Sequence, residues 1–489
     1  MASRNYLAID LGAESGRVMR GAFDDERLTL SEVHRFGNGP VRLPDGLHWD
    51  VLRLWNEIKD GIGRTAQQDQ PPVSLGLDTW GVDFALLDRN GALLSNPYHY
   101  RDDRTDGMIE EAFKRMPREQ IFDWTGIQFM QLNTLYQLFS MALAHSPALE
   151  AAERFLTIPD LFNYWLTGQS ACEFSIATTT QCYDPRRRDW ALPLLAALGI
   201  PHHIFPRVIA PGTALGALHP AVADEMRVSG MQVIAPACHD TGSAVAAVPA
   251  EGERYAWISS GTWSIMGTNV PEPIINGESL AHNFTNEGGA DGGFRFSKNI
   301  MGLWLVQESR RTWAANGRTY TYAELTEMAA QVEPFTAIVD PDQADFLKPG
   351  DMPERIRSFC ARTSQRVPDG YGAIVRCALE SLALKYRWVL AKIEQMIGYR
   401  LEPIHIIGGG TQNRLLNQFT ADATGRLVIA GPIEATAIGN ILVQALALGD
   451  IRSLAEARSI VRRSFTPEVF EPRSSAGWDE AYQKLLAII

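Results

Sequence analysis

Near the midpoint of the chain, His239-Asp240-Thr241-Gly242 follows an apolar run, Gln232 to Cys238, and opens a run of small residues stopped by Pro249. The pattern predicts a strand handing over to a helix, with Asp240 at the junction. A carboxylate there either caps the helix or faces a cleft beside backbone N–H groups, where it can act as a base on a substrate hydroxyl. A second candidate is Asp10-Leu11-Gly12-Ala13-Glu14-Ser15-Gly16-Arg17, a glycine turn after the strand Tyr6 to Ile9. Its two glycines let amides converge on an anion such as phosphate, with φ > 0 expected at Gly12. Asp10 could reach a Mg²⁺ through water. A plain hairpin fits the same DxGxxxG spacing, and neither a GxxxxGK[ST] loop nor a GxGxxG turn is present. The third candidate is Gly408-Gly409-Gly410 after the apolar Ile404 to Ile407. Such glycines admit a flat ring or a phosphate to the backbone, or simply turn the chain.

Other stretches offer weaker chemistry. Asp78-Thr79-Trp80-Gly81-Val82-Asp83-Phe84 reads as strand, polar-aromatic turn, strand; its Trp suits the C–H face of a sugar, or a half-buried hairpin. Tyr100-Arg101-Asp102-Asp103-Arg104 reads as a solvated ion-pair loop. Lys298 to Gln307 reads as the start of a helix, which would put Asn299 and Gln307 on one face about 12 Å apart.

The elements that must position these residues follow from periodicity. A helix is predicted over Asp50 to Ile62 with Leu52, Trp55, Ile58 and Ile62 as its core stripe, and a long one over Gly370 to Ile397. Pro159 and Gly168 bracket a helix, and Glu434 to Asn440 opens another of small residues. Tyr255-Ala256-Trp257-Ile258-Ser259-Ser260-Gly261-Thr262-Trp263-Ser264 overlays Tyr6 to Ser15 at one constant offset, matching Tyr, Ile, Gly and Ser. That points to an internal duplication, each half opening on strand, glycine turn, strand.

With 489 residues, 45% hydrophobic and 21% charged, the chain has material for two or three domains with ample cores. A net charge of −12 argues against nucleic acid or an anionic membrane as partner. Phosphate remains bindable through amides and a metal. Five scattered cysteines without a CxxC fit reduced thiols in a cytoplasmic protein. No stretch has the apolar length of a signal peptide or a membrane span.

Taken in order, these motifs resemble the FGGY carbohydrate kinases of the actin-like ATPase superfamily. The match is carried by Asp10 to Arg17, Asp78 to Phe84, His239-Asp240-Thr241, Ser259 to Ser264, Thr285-Asn286-Glu287-Gly288-Gly289 and Lys298 to Trp304. Many of these kinases have a lysine after the proline corresponding to Pro159; here Asp160 stands there. The resemblance implies an α/β fold of two duplicated RNase H-like domains flanking a catalytic cleft. Residues 1–248 would bind mainly sugar and carry the first phosphate loop, and residues 249–489 would bind mainly nucleotide. It implies Asp240 as catalytic base, with Gly81, His239, Asp240, Thr241 and Asn299 at the sugar. Ala13, Glu14, Ser15, Gly16, Arg17, Thr262, Gln307 and Gly409 would lie at ATP, and Asp10 at Mg²⁺ through water. The implied reaction moves the γ-phosphoryl of ATP to the C1 hydroxyl of L-rhamnulose, in a monomer or weak homo-oligomer. Another ketose, such as L-fuculose or xylulose, is the alternative substrate, and an actin- or chaperone-like ATPase the alternative class.

Overall fold

The computed structural model describes residues 3–65, 70–473 and 476–489. The chain forms two compact units, each drawn from separated stretches. One comprises Met1–Pro249, Asn269–Phe296 and Ala435–Ser464; the other comprises Ala250–Thr268, Ser297–Glu434 and Phe465–Ile489.

The first unit is built on a sheet in the order Thr213–Ala217, Gln232–Ala235, Ser74–Thr79, Arg4–Leu11, Ser15–Phe23, Leu28–Gly37. Gln232–Ala235, Ser74–Thr79 and Arg4–Leu11 run parallel; Thr213–Ala217 and Ser15–Phe23 on either side are antiparallel to them, and Leu28–Gly37 is antiparallel to Ser15–Phe23. Arg4–Leu11 is buried along all but its first residue, as a central strand covered on both faces must be. In the second unit the succession Trp263–Val270, Ala256–Ser260, Ile404–Ile407, Val428–Ala430, Glu468–Phe470 repeats the same directions: antiparallel, parallel, parallel, antiparallel. The duplication read from Tyr6 and Tyr255 is thus a duplication of topology. The copies differ at the turn, where Leu11 pairs with Gly16 but Ser260 pairs with Ser264, one residue sooner.

Late segments complete the first unit. In the helix Ala435–Ala447, Gln444 donates from Nε2 to the Leu7 carbonyl (3.0 Å) and accepts from Ser74 Oγ (2.7 Å). The same helix lies on the helix Asp240–Ala246 with no space between backbones: a Cβ on Gly439 would stand 1.7 Å from the Ser243 carbonyl oxygen.

Several sequence expectations need correction. The helix Val51–Gly63 buries Val51, Leu54, Ile58 and Ile62, whereas Leu52 is 55% exposed. Asp50 caps this helix by accepting from the Arg53 amide. Ser74–Thr79 and Phe84–Leu87 are not a hairpin, because Phe84–Leu87 pairs instead with Arg154–Thr157. Lys298 and Asn299 lie in the strand Phe294–Met301, and Gln307 lies in the following helix Trp304–Ala315. Gly302 breaks the pattern between them, so the shared helix face does not exist. Neither Gly12 nor Gly16 has positive φ. A side chain at Gly16 is excluded by packing instead, since its Cβ would stand 2.3 Å from the Phe36 ring. Among the described residues no helix is long and apolar enough to cross a membrane.

Candidate active site

The carboxyl ends of the first unit's parallel strands gather the acidic candidates, the usual ligand edge of an α/β sheet. Asp10 and Asp78 are register partners on adjacent parallel strands, so their side chains emerge on one face. Arg17, opposite Asp10 on the antiparallel neighbour, donates to Asp10 Oδ2 from Nε (2.8 Å) and Nη2 (2.6 Å). Asp78 is fully buried. It accepts from Asn440 Nδ2 at 2.6 Å through Oδ2, while Oδ1 has no partner among the described residues. Burial and the adjacent Asp10 push its pKa well above the usual carboxylate range, with Asp240 adding to the push. Such a crowd of carboxylates on one buried face suits a divalent cation held through oxygens and water. Among the described residues, no group of three or more His, Cys, Asp or Glu side chains closes around a common point.

Asp240 is the first residue of its helix rather than the cap. His239 holds the cap position and makes no side-chain capping bond. Asp240 Oδ1 accepts from the amide and the hydroxyl of Thr241, the latter at 3.0 Å, and lies 3.4 Å from His239 Nε2. Its Oδ2 accepts no hydrogen bond from the described residues, and the side chain is 31% exposed. Burial raises its pKa, the neighbouring His239 opposes that, and Asp10 adds to it. One oxygen is fastened and the other is offered, which is what a positioned base requires.

The peptides leading into Asp240 are held from behind. Glu173 accepts from the Cys238 amide (2.9 Å) and from Ser175 Oγ, and Ser175 Oγ in turn accepts from the His239 amide (3.1 Å). Asp160, the departure from the family pattern, is buried and accepts from the Glu173 amide (3.2 Å) and from Thr157 Oγ1. Burial pushes both Asp160 and Glu173 up to about 7. Asp160 therefore braces the backbone behind Asp240.

The Gly81 turn is strained. Val82 sits at φ 67, a conformation β-branched residues avoid. It is held by Thr179 Oγ1 on its amide (3.2 Å) and by Thr134 Oγ1 on its carbonyl (2.5 Å). Trp80 is buried against Trp49 at 4.0 Å between centroids, so it is no open platform for a sugar. Both indoles donate to Asp83 Oδ2, at 2.5 and 3.0 Å, and burial lifts that carboxyl to about 6. The Tyr100–Arg104 loop is likewise not simply solvated. Asp102 is buried and accepts from the Leu47 amide, and Arg104 Nη2 donates to Gln137 Oε1 at 2.5 Å.

The loop Gly12–Glu14 is drawn tight by Asn38, whose side chain donates to the Gly12 carbonyl (2.8 Å) and whose amide donates to the Glu14 carbonyl (2.9 Å). Ala13 and Ser15 are half-buried, Glu14 is exposed and Gly16 is buried.

In the second unit, Thr262 lies in the Ser260–Trp263 turn, against which the segments preceding Gln307 and flanking Gly409 pack. The amides of Leu303 and Trp304 donate to the carbonyls of Gly261 and Thr262, both at 3.1 Å, and Gln307 follows one turn later on that helix. Gln307 Oε1 is buried without a partner. Gly410 packs so closely that a Cβ would stand 2.0 Å from Ser260 Oγ, whereas a Cβ on the exposed Gly409 would meet nothing. That leaves open backbone of the kind a flat ring can approach. Asn299 is half-buried on its strand in this same unit.

Two family models match the chain: the FGGY family of carbohydrate kinases, N-terminal domain, over residues 5–247, and its C-terminal domain over residues 256–448. The chain belongs to the FGGY family of carbohydrate kinases. A Rhamnulokinase of Bacteroides thetaiotaomicron is 44% identical over 479 residues, covering 98% of each chain. A Rhamnulokinase of Oceanobacillus iheyensis is 43% identical over 459 residues, covering 94% of this chain and 96% of that one. Among solved structures, gluconate kinase from Lactobacillus acidophilus superposes with a TM-score of 0.82 at 14% identity, covering 99% of this chain and 97% of that one. That likeness is one of fold. As an FGGY kinase the chain is an ATP-dependent enzyme acting on a carbohydrate.

Two residues that sequence reasoning left without a role complete the Asp240 surroundings. Arg295 is fully buried, and its Nη2 reaches both His239 Nδ1 (2.9 Å) and Glu287 Oε2 (3.2 Å). In the sequence, Phe294-Arg295-Phe296 offers no signal beyond a cation flanked by aromatics. Glu287 lay inside the TNEGG motif, where a carboxylate between small residues was the available hint.

Proposed function

We propose that this FGGY kinase phosphorylates L-rhamnulose on its C1 hydroxyl, giving L-rhamnulose 1-phosphate and ADP in L-rhamnose breakdown. The observation that carries this reading is identity of 37–44% to curated Rhamnulokinases over 94–100% of the chain. The half-tethered Asp240 agrees with it. In this reading the C1 hydroxyl donates to Asp240 Oδ2, and the carboxylate takes the proton as the hydroxyl oxygen meets the γ-phosphorus in line. Phosphoryl transfer is largely dissociative, so orientation counts as much as basicity. His239, Thr241, Gly81 and Asn299 line the rest of the sugar site. Amides about Ala13, Glu14, Ser15, Gly16 and Thr262 take the phosphates, with Arg17 countering charge at Asp10. Gln307 and Gly409 take the nucleoside. Asp10 would hold a Mg²⁺ through water, and the buried, unpartnered Asp78 oxygen agrees with a cation there. When bound, that ion neutralises charge on the phosphates.

A coupled ADP-release assay over L-rhamnulose, L-fuculose and D-xylulose tests the proposal. The expected result is a kcat/KM for L-rhamnulose at least about tenfold above the others, a margin of roughly 1.4 kcal/mol. Equal or better turnover of another ketose would replace the substrate while leaving the family intact.

A further inference from the structure

Arg295 is an expensive residue to keep. It is fully buried, its Nε donates to the Gly288 carbonyl at 2.8 Å, its Nη2 serves both His239 and Glu287, and its Nη1 has no partner. Burying such an ion pair contributes little stability, because desolvation offsets the attraction. Its geometry does fix something else. A guanidinium can only donate, so in the 2.9 Å contact His239 Nδ1 accepts; Glu287 Oε2, 3.3 Å from the same nitrogen, is already served by Arg295 Nη2 at 3.2 Å. The imidazole proton then sits on Nε2, the atom 3.4 Å from Asp240 Oδ1. With the proton on Nδ1 instead, the Nε2 lone pair would oppose the carboxylate.

We infer that Arg295 is a positioning residue: held by Glu287, it locks His239 in the Nε2–H form, and His239 with Thr241 thereby fastens Asp240 Oδ1 and leaves Oδ2 for the sugar hydroxyl. The inference deepens the proposed function and rests on its assignment of Asp240 as base. Arg295 itself touches no reacting atom. Its effect passes through the imidazole ring, and a residue serving stability alone would leave the tautomer and the balance of kcat to KM as they are.

The test begins with the unaltered protein. Imidazole ¹⁵N spectra, with His239 assigned by the loss of its signals in His239→Gln, are expected to show Nε2 protonated and Nδ1 bare at neutral pH. A proton on Nδ1 overturns the inference. Arg295→Met with Glu287→Gln removes the cation together with the anion it pairs, so no buried charge is left alone. That variant is expected to lose at least about tenfold in kcat with an unchanged KM for ATP, and to show the Nδ1–H form. Arg295→Lys, which keeps one donor, is expected to recover part of the rate. Turnover within twofold of wild type in the double variant overturns the inference. Should the double variant not fold, the wild-type spectrum decides. Failure to turn over any ketose sinks the functional reading while the tautomer still reports on Arg295; a wrong tautomer in an active kinase sinks only the positioning role.

Discussion

At Asp240 the two carboxylate oxygens keep different company: one is taken by Thr241 and approached by His239, the other meets no donor among the described residues. Asp240→Asn keeps the size and an oxygen that can accept from Thr241, but removes the carboxylate proposed as base. The variant is expected to fold with wild-type thermal stability within about 2 °C, to bind ATP, and to lose at least about 10²-fold in kcat. Near-normal turnover in a coupled assay would take Asp240 out of the chemistry. Behind it, Asp160 titrates at about 7 in the folded chain because burial disfavours its charge. An unfolded Asp ionises near the ordinary value of about 3.9. Between those values the unfolded chain has released the proton while the folded chain retains it, so this group takes stability away as pH rises from about 4 to 7. Asp160→Asn is therefore expected to flatten the decline in urea-unfolding free energy between pH 5 and pH 8. An unchanged slope would count against it. Asp240 and Asp10 were legible because each acid ends an apolar run beside glycine or small residues. Arg295 was not, since its task is set by His239 and Glu287, one of them 56 positions away.

Among the elements, the Asp240–Ala246 and Ala435–Ala447 helices show how tightly Asp240 is mounted. Their backbones meet at Gly439 with no room for even a methyl group. Gly439→Ala is expected to cost at least about 2 kcal/mol, as overpacking does, and to lower kcat by displacing the Asp240 helix. Urea unfolding and the coupled assay read the two effects; a variant equal to wild type in both would show that the contact yields. The sequence marked both helices as runs of small residues, and close packing is what such runs permit. It did not mark the break at Gly302, because Asn299 and Gln307 satisfy helical spacing as well as they do a strand followed by a helix. Leu52 misled for a similar reason. Two stripes fit Val51–Gly63 equally, and the packing of Val51, Leu54, Ile58 and Ile62 into the core chooses between them.

For the whole molecule, the halves of the sequence and the units of the fold do not coincide. The strand directions repeat, as the overlay of Tyr6 and Tyr255 foretold, yet the first unit takes back Asn269–Phe296 and Ala435–Ser464 from the second half of the chain. Nothing in a local pattern announces such a return; it depends on what Gln444 and Asn440 find at Leu7, Ser74 and Asp78. A fragment of residues 1–249 lacks these partners and bares the sheet face they cover. It is expected to aggregate or to melt without a cooperative transition by circular dichroism, whereas the full chain melts cooperatively. A soluble, cooperatively folding fragment would refute that dependence.

The same return of the chain has a consequence during synthesis. A ribosome adding about 5–20 residues per second needs roughly ten to forty seconds to travel from the end of the first long segment to the last piece of its unit. For that interval the strands nearest the amino terminus wait outside the exit tunnel with one face uncovered. The nascent kinase is therefore most exposed to mispairing with neighbouring chains well before its final residue is made, and holdase chaperones have their longest opportunity to bind there.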